Sequence, residues 1–327
     1  MDPPETDRRI TMAESDGILG MTGSFGYIGK RLIRRLCDDT AFKKIVCTDI
    51  LPPPDALPEK FEVHRCDIRD RDRLTAVLRE GAVDTLVHLA FIANPTRDPG
   101  FEYDVDVNGT RNVLHACKSL KIRKLVVASS DCAYGFFEGT PDYLTETAPV
   151  RSTPGFPYSE NKAAIEQLLA DFIADTPECA VVILRPCIVM GPNANNTTSK
   201  SMKDPVIIGV RGYDPIMQFI HEDDAAEAFY LAAVQNVQGV FNLAADGGLR
   251  YSELARVLGK PMISLPVWLI YPLVELLYRL RIVPFGRAQL DYIRYPLSMD
   301  VEKIGRVMGF KPKYSTRETL RTLLPDP

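Results

Sequence analysis

A short apolar run, Ile18-Leu19-Gly20-Met21, leads directly into Thr22-Gly23-Ser24-Phe25-Gly26-Tyr27-Ile28-Gly29, and a helical run from Lys30 to Cys37 follows. Strand, glycine loop and helix in immediate succession restrict this chain more than any other stretch. At this spacing Gly23 permits a tight turn, Gly26 the close approach of a pyrophosphate, and Gly29 the packing of helix on strand. The start of such a helix offers free N–H groups and the positive end of its dipole to an anion. The alternative is a plain turn between strand and helix; both flanks argue for the phosphate-cradling version.

The rest of the chain repeats the strand–helix alternation. The second strand, Lys44 to Thr48, ends in Asp49-Ile50. An acid there accepts both ribose hydroxyls of an adenosine and repels a 2′-phosphate. No arginine follows closely, so NAD is expected over NADP. A third strand, Phe61 to Cys66, leads to Asp67-Ile68, which are expected to border the adenine. The fourth, Thr85 to Ala90, is apolar enough for the middle of a parallel sheet, with His88 packed at its end. A long helix over Phe101 to Leu120 carries Asn108, which either hydrogen-bonds beside the active site or stands exposed. The fifth strand, Lys124 onward, ends in Ser129-Ser130. Ligands of open α/β sheets bind at the carboxyl ends of strands, so Ser130 is placed to hold a substrate oxygen. Ala180 to Arg185 is a sixth strand, broken by Pro186.

Phe156-Pro157-Tyr158-Ser159-Glu160-Asn161-Lys162 opens a run of good helix formers. Tyr158 and Lys162 therefore share one helix face. A free phenol, with a pKa of about 10, is a poor base near neutrality, and a neighbouring ammonium favours the phenolate. A tyrosine so tuned exchanges a proton with an alcohol or a carbonyl. Tyr-x-x-x-Lys by itself occurs on many surface helices, and its weight comes from the strand ends around it.

The composition excludes several other classes. A formal net charge of -4 gives no reason to expect nucleic acid or an anionic membrane as partner. The seven cysteines lack CxxC pairing and a nearby histidine cluster, which predicts reduced thiols of a cytoplasmic protein and no metal site. Residues 1–16 are polar and charged and read as a frayed, disordered tail. Gly191 to Asp214 is rich in Asn, Ser, Thr, Gly and Pro and reads as a mobile segment over the substrate. Leu265 to Phe285 is apolar but carries Glu275, Arg279 and Arg281 and is interrupted by Pro272. That argues against a span; a cover over an apolar core or pocket is the main expectation and a membrane-surface helix the alternative.

Taken in order, these pieces resemble the extended branch of the short-chain dehydrogenase/reductase superfamily, the NAD-dependent epimerase/dehydratase family. The resemblance rests on Thr22-Gly23-x-x-Gly26-x-x-Gly29, His88-Leu89-Ala90, Asn108-Gly109-Thr110, Ser129-Ser130-x-x-x-Tyr134-Gly135, Tyr158-x-x-x-Lys162, Arg185-Pro186, Phe219-Ile220-x-x-Asp223-Asp224, and Asp300-x-x-Lys303 with Met308 to Pro312. It implies a Rossmann-type doubly wound parallel sheet with a smaller, mostly helical C-terminal lobe. It also implies a Ser130, Tyr158, Lys162 triad supported by Asn108. The NAD site is expected to use Gly23, Phe25, Gly26, Tyr27, Ile28, Gly29, Asp49, Ile50, Asp67, Ile68, Leu89, Ala90, Phe91, Asn108, Tyr158, Lys162, Pro186 and Ile188. In the group resembled, the helices matching Phe101–Leu120 and Ala163–Phe172 meet a symmetry mate, so a homodimer is expected.

The expected organisation is a cofactor domain over 17–190 that also recruits 217–246, and a substrate lobe over 191–216 and 247–327. The expected activity is hydride and proton transfer at a secondary alcohol or ketone of a small molecule, foremost a sugar or sugar nucleotide. Three departures bear on the substrate. Met217-Gln218 stand where sugar-nucleotide members carry Arg-Asp, Asn195-Asn196 fit the family's asparagine position only in part, and Cys132 replaces the Glu that dehydratases place after Asp131. A hydroxysteroid-dehydrogenase-like enzyme for an apolar alcohol is the alternative within the family. A catalytically silent NAD-sensing protein is the alternative outside enzymes.

Overall fold

The structure is a computed structural model that describes residues 17–324; the tail expected over residues 1–16 lies outside them. Seven strands form the central sheet: β1 (Gly17–Thr22), β2 (Phe42–Asp49), β3 (Phe61–Arg65), β4 (Thr85–His88), β5 (Lys124–Ala128), β6 (Ala180–Pro186) and β11 (Gly239–Leu243). Their spatial order is β11-β6-β5-β4-β1-β2-β3, and every pairing is parallel. Two apolar layers sandwich the sheet. Leu32, Ile33 and Phe229 lie in one core, Leu74, Val113 and Ile165 in the other. Burial on both faces explains why β4 and β5 read as continuous apolar runs rather than alternating ones.

α1 (Tyr27–Cys37) packs beside α7 (Glu222–Val234), while α2 (Arg71–Glu80), α4 (Gly109–Leu120) and α5 (Pro157–Asp175) pack together. The helix expected as one piece over 101–120 is not uniform. α3 (Pro99–Tyr103) runs into a wider π-type turn, Asp104–Asn108, before α4 begins. Such turns insert a residue and re-aim the side chains around them.

The remaining strands pair in twos: β7 (Ile188–Met190) with β10 (Phe219–His221), β8 (Ile207–Val210) with β13 (Met262–Leu265), and β9 (Ile216–Met217) with β12 (Leu249–Arg250). With α6 (Thr197–Lys203), α8 (Tyr251–Val257), α9 (Val267–Arg279), α10 (Glu302–Met308) and α11 (Thr316–Arg321) they complete the C-terminal part. The segment read as mobile therefore holds a helix and a strand. Asn196 and Ser199 form a capping box at the start of α6, and β8 borrows its partner strand from 55 residues downstream. Among the described residues no helix is long and apolar enough to cross a membrane.

Candidate active site

The sheet order reverses between β1 and β4, and ligands of doubly wound sheets bind at such a switch point. A cleft of about 1660 Å³ opens there and extends from the glycine loop past the ends of β5 and β6 to α9. Gly23 sits at φ +67, and a Cβ on it would lie 2.6 Å from the Ala90 backbone nitrogen. A Cβ on Gly29 would lie 2.4 Å from the Gly23 carbonyl oxygen. Neither position admits a side chain. The N-cap of α1 is Gly26, with no side-chain cap, so the first amides of this helix keep their donors for an anion. Those observations fit a dinucleotide diphosphate.

Asp49 closes the loop from behind. Its carboxylate accepts the Phe25 N–H at 2.8 Å and the Leu51 N–H at 2.9 Å. Lys30, Arg31 and Arg34 also line this end of the cleft. Arg31 is engaged by Asp223 at 2.5 Å. No arginine follows Asp49 closely, but Arg34, fifteen positions before it, reaches the cleft from α1.

At the other end stand the three residues of the expected triad, all on the cleft wall. Ser130 lies two residues beyond the end of β5, at the start of the turn Asp131–Tyr134, and its hydroxyl donates to Asp131 Oδ1 at 2.9 Å. Lys162 is buried, donates from Nζ to the Ala128 carbonyl at 2.7 Å and lies 3.3 Å from the Phe91 ring centroid. Burial pulls its pKa down to about 8 against the opposing pull of Asp106. Burial pushes the Tyr158 phenol above its ordinary value, and Cys132, then Asp131 and Asp106, add to that; the Ser130 hydroxyl pulls the other way. The lowered phenol expected from Lys162 is thus overridden. The ammonium lies 5.6 Å from the tyrosine ring and spends a proton on a carbonyl, while Tyr158, half-buried on the cleft wall, loses more by desolvation than that charge returns. Burial also lifts the Asp131 carboxyl to about 6.

Asn108 is not part of this wall. Beyond the π-type turn its amide donates to Asp104 Oδ1 at 3.0 Å and its oxygen accepts from Arg111 at 2.5 Å, on the outer side of the helix. Asp106 points inward instead. It is fully buried, accepts the Ile92 N–H at 2.8 Å and the Asn161 amide at 3.2 Å, and is the first of the acids acting on Lys162. A carboxylate between Val105 and Val107 was the available signal, hidden by the assumption of a regular helix.

Of the other expected cofactor residues, Gly23, Phe25, Gly26, Tyr27, Ile28, Gly29, Leu89, Phe91, Pro186 and Ile188 line the cleft. Asp49, Ile50, Asp67, Ile68 and Ala90 do not. Ile50 is exposed, Asp67 pairs with Arg69 at 2.7 Å, and Ile68 packs into the core against Gly109. Tyr292, which sequence reasoning passed over, reaches the triad from the C-terminal part.

His88 is fully buried between two threonines. The Thr110 hydroxyl donates to the Asp106 carbonyl at 2.5 Å, so it accepts from Nε2–H at 3.1 Å, and Nδ1 accepts from Thr22 at 2.7 Å. The ring is held neutral: burial and then Lys162 push its pKa down to about 3. The unfolded chain takes up this proton near 6.5, so the native state loses its advantage as pH falls from there toward 3. The stability margin of the wild type over His88→Gln is therefore expected to be largest above pH 6.5 and to shrink on acidification, by up to about 1.4 kcal/mol per pH unit. Urea unfolding of both proteins at pH 7 and pH 5 checks this; a constant margin would mean that the ring protonates freely in the fold.

A parallel sheet in this order, with a glycine loop at its switch point, defines a dinucleotide-binding α/β protein. Residues 19–244 match the model of the NAD dependent epimerase/dehydratase family, and the chain belongs to that family. An uncharacterized protein of Mycobacterium tuberculosis is 29% identical over 306 residues, covering 91% of this chain and 81% of that protein. A decarboxylating sterol-4-alpha-carboxylate 3-dehydrogenase of Saccharomyces cerevisiae is 29% identical over 189 residues, 55% of this chain and 53% of that one. Among solved structures, UDP-glucose 4-epimerase of Thermus thermophilus with NAD superposes with a TM-score of 0.72 at 22% identity, over 94% of this chain and 97% of the other.

Proposed function

We propose that the protein is an NAD-dependent oxidoreductase or epimerase that moves a hydride and a proton at a secondary alcohol or ketone. The observation that carries this reading is the position of Ser130, Tyr158 and Lys162 together on the wall of the cleft that starts at the glycine loop. A bound nicotinamide supplies the hydride chemistry. Ser130 fixes the substrate oxygen and Tyr158 exchanges its proton. Lys162, braced by the Ala128 carbonyl and the Phe91 ring, keeps a positive charge beside Tyr158 at neutral pH and holds the nicotinamide ribose. In this reading 17–190 with 217–246 bind the cofactor, and 191–216 with 247–327 shape the substrate side.

The first substrate class is a sugar nucleotide, which the name of the Thermus relative suggests. A second, an apolar alcohol, is favoured by the substrate wall itself. Ile207, Leu265, Ile270, Val274 and Phe285 line it. Where a diphosphate-binding arginine was expected, Met217 is buried, and Gln218 is bonded to the Met299 carbonyl at 3.0 Å and its N–H at 2.7 Å. Incubating the protein and NAD with a UDP-hexose and with a hydroxysteroid separates the two. Nicotinamide absorbance reports net oxidation, and product chromatography reports epimerisation. NAD binding with no conversion of either would favour the NAD-sensing alternative.

Asp49 does not itself line the cleft, but its carboxylate stands directly behind the glycine loop, and that negative charge leads us to expect NAD to bind at least tenfold tighter than NADP, about 1.4 kcal/mol. Titration calorimetry with both nucleotides measures it, and equal affinities would contradict it. Arg34→Ala should weaken NADP more than NAD, because only NADP carries the phosphate that this guanidinium can meet.

A further inference from the structure

α9 has two apolar faces. Ile270 and Val274 turn inward onto Leu290. The opposite face is uncovered: Trp268 is 76% exposed, Leu276 53% and Leu280 61%. These residues are four apart or a multiple of it, so they form one stripe along the helix. Ile282, just beyond, is 65% exposed. The outer face of a helix in a water-soluble protein is normally charged or polar. Here the helix carries two charged residues, Glu275 and Arg279, and they bridge each other at 3.0 Å. Arg281 follows and is exposed, and no acidic residue comes before Asp291; Arg287, further on, stands on the cleft wall.

We propose that this outer face of α9 docks on the surface of an anionic phospholipid membrane. An apolar stripe with a cationic rim at one end is the pattern of a helix lying in the membrane interface: rings and aliphatic chains enter the acyl boundary and guanidinium groups stay among phosphates. The face is preformed. The Arg97 guanidinium, from the loop after β4, donates to the carbonyls of Tyr278 and Val283 and ties the end of α9 across the cleft. The docking face also adjoins the cleft, since Leu273 and Leu277 of the same helix line it. A second copy of this chain is the competing occupant. A two-fold contact would set this face against itself and bring the same arginines together with Glu275 already paired. The helices expected to mediate self-association, around 101–120 and 163–172, are other segments. The proposal does not depend on the substrate class.

Trp268 is the only tryptophan in the chain, so its emission reports on this face alone. The full-length protein is titrated with vesicles of phosphatidylcholine and phosphatidylglycerol in equal parts, and with vesicles of phosphatidylcholine alone. The expected result is a blue shift, quenching by brominated acyl chains and co-flotation with the mixed vesicles, with at least tenfold weaker partitioning to phosphatidylcholine alone. Leu276→Glu with Leu280→Glu should reduce partitioning at least tenfold, and Arg279→Ser with Arg281→Ser should remove the preference for phosphatidylglycerol. None of these four residues lines the cleft, so NAD binding should be unchanged in both variants. Wild-type emission that ignores both vesicle types, or binding indifferent to phosphatidylglycerol, would overturn the proposal. A blue shift that grows with protein concentration in the absence of lipid would also overturn it and assign the face to a second copy.

Discussion

Tyr158→Phe is expected to lower turnover by a factor of about 10² to 10⁴, the usual worth of a positioned proton-transfer group, while NAD affinity stays within a few-fold. The substitution removes one oxygen. The ring remains beside Phe156, with centroids 6.2 Å apart, and Lys162 keeps its bond to the Ala128 carbonyl. Cofactor binding and fold therefore have no reason to change. Ser130→Ala should cost less turnover, since Ser130 positions the oxygen without carrying the proton. Lys162→Met should weaken NAD as well as turnover, because one side chain serves both. The phenol adds a pH signature. Burial pushes Tyr158 up, so its phenolate forms late in the protein alone. A positive nicotinamide close by favours the phenolate. Titrating phenolate absorbance of the wild type against Tyr158→Phe, with and without NAD, should show the Tyr158 transition move to lower pH when NAD is bound. If Tyr158→Phe retains near-normal turnover, the proton travels elsewhere. Asp131 is then the first residue to replace, since its carboxyl is lifted to about 6 and bonds the Ser130 hydroxyl.

Glu166→Ala is expected to destabilise the fold by about 3–5 kcal/mol, the cost of leaving one partner of a buried ion pair uncompensated. Arg185 donates to both carboxylate oxygens of Glu166, at 2.7 Å from Nε and 2.5 Å from an outer nitrogen, and both residues are buried. The same carboxylate accepts the Ser129 hydroxyl at 2.6 Å. Arg185 also donates to the Tyr134 oxygen at 2.7 Å, and Tyr134 donates to Asn242 at 2.7 Å. The network joins β6, α5, β11 and the turn after β5 directly behind the triad. Urea denaturation measures the loss. The double variant Glu166→Leu with Arg185→Met should recover much of it, because removing both charges leaves no uncompensated ion. A double variant as unstable as Glu166→Ala would mean that packing around these side chains, and not their charge, holds the region.

Local chemistry alone determined the beginning of the chain. The glycines at 23 and 29 are dictated by space: a Cβ at either would strike backbone, and that constraint shows in the spacing itself. The parallel sheet was equally legible, because strands buried on both faces must be apolar throughout. Tyr158 and Lys162 were readable as a pair because one helix turn separates them. The tertiary structure decided what depends on contacts between distant segments. Asp106 rather than Asn108 faces Lys162, because a π-type turn of five residues re-aims both side chains without a propensity signal to mark it. Arg34 reaches the glycine-loop end of the cleft from a helix, so order along the chain was no guide to its distance from Asp49. The direction of the Tyr158 shift is a balance between desolvation, which only packing reveals, and a charge whose nearness the spacing overstated. The apolar residues of 265–285 read as one hydrophobic run. Only the placement of α9 against Leu290 divided them into an inner face that is buried and an outer face that is not, since burial belongs to the neighbours a side chain meets and not to the side chain itself.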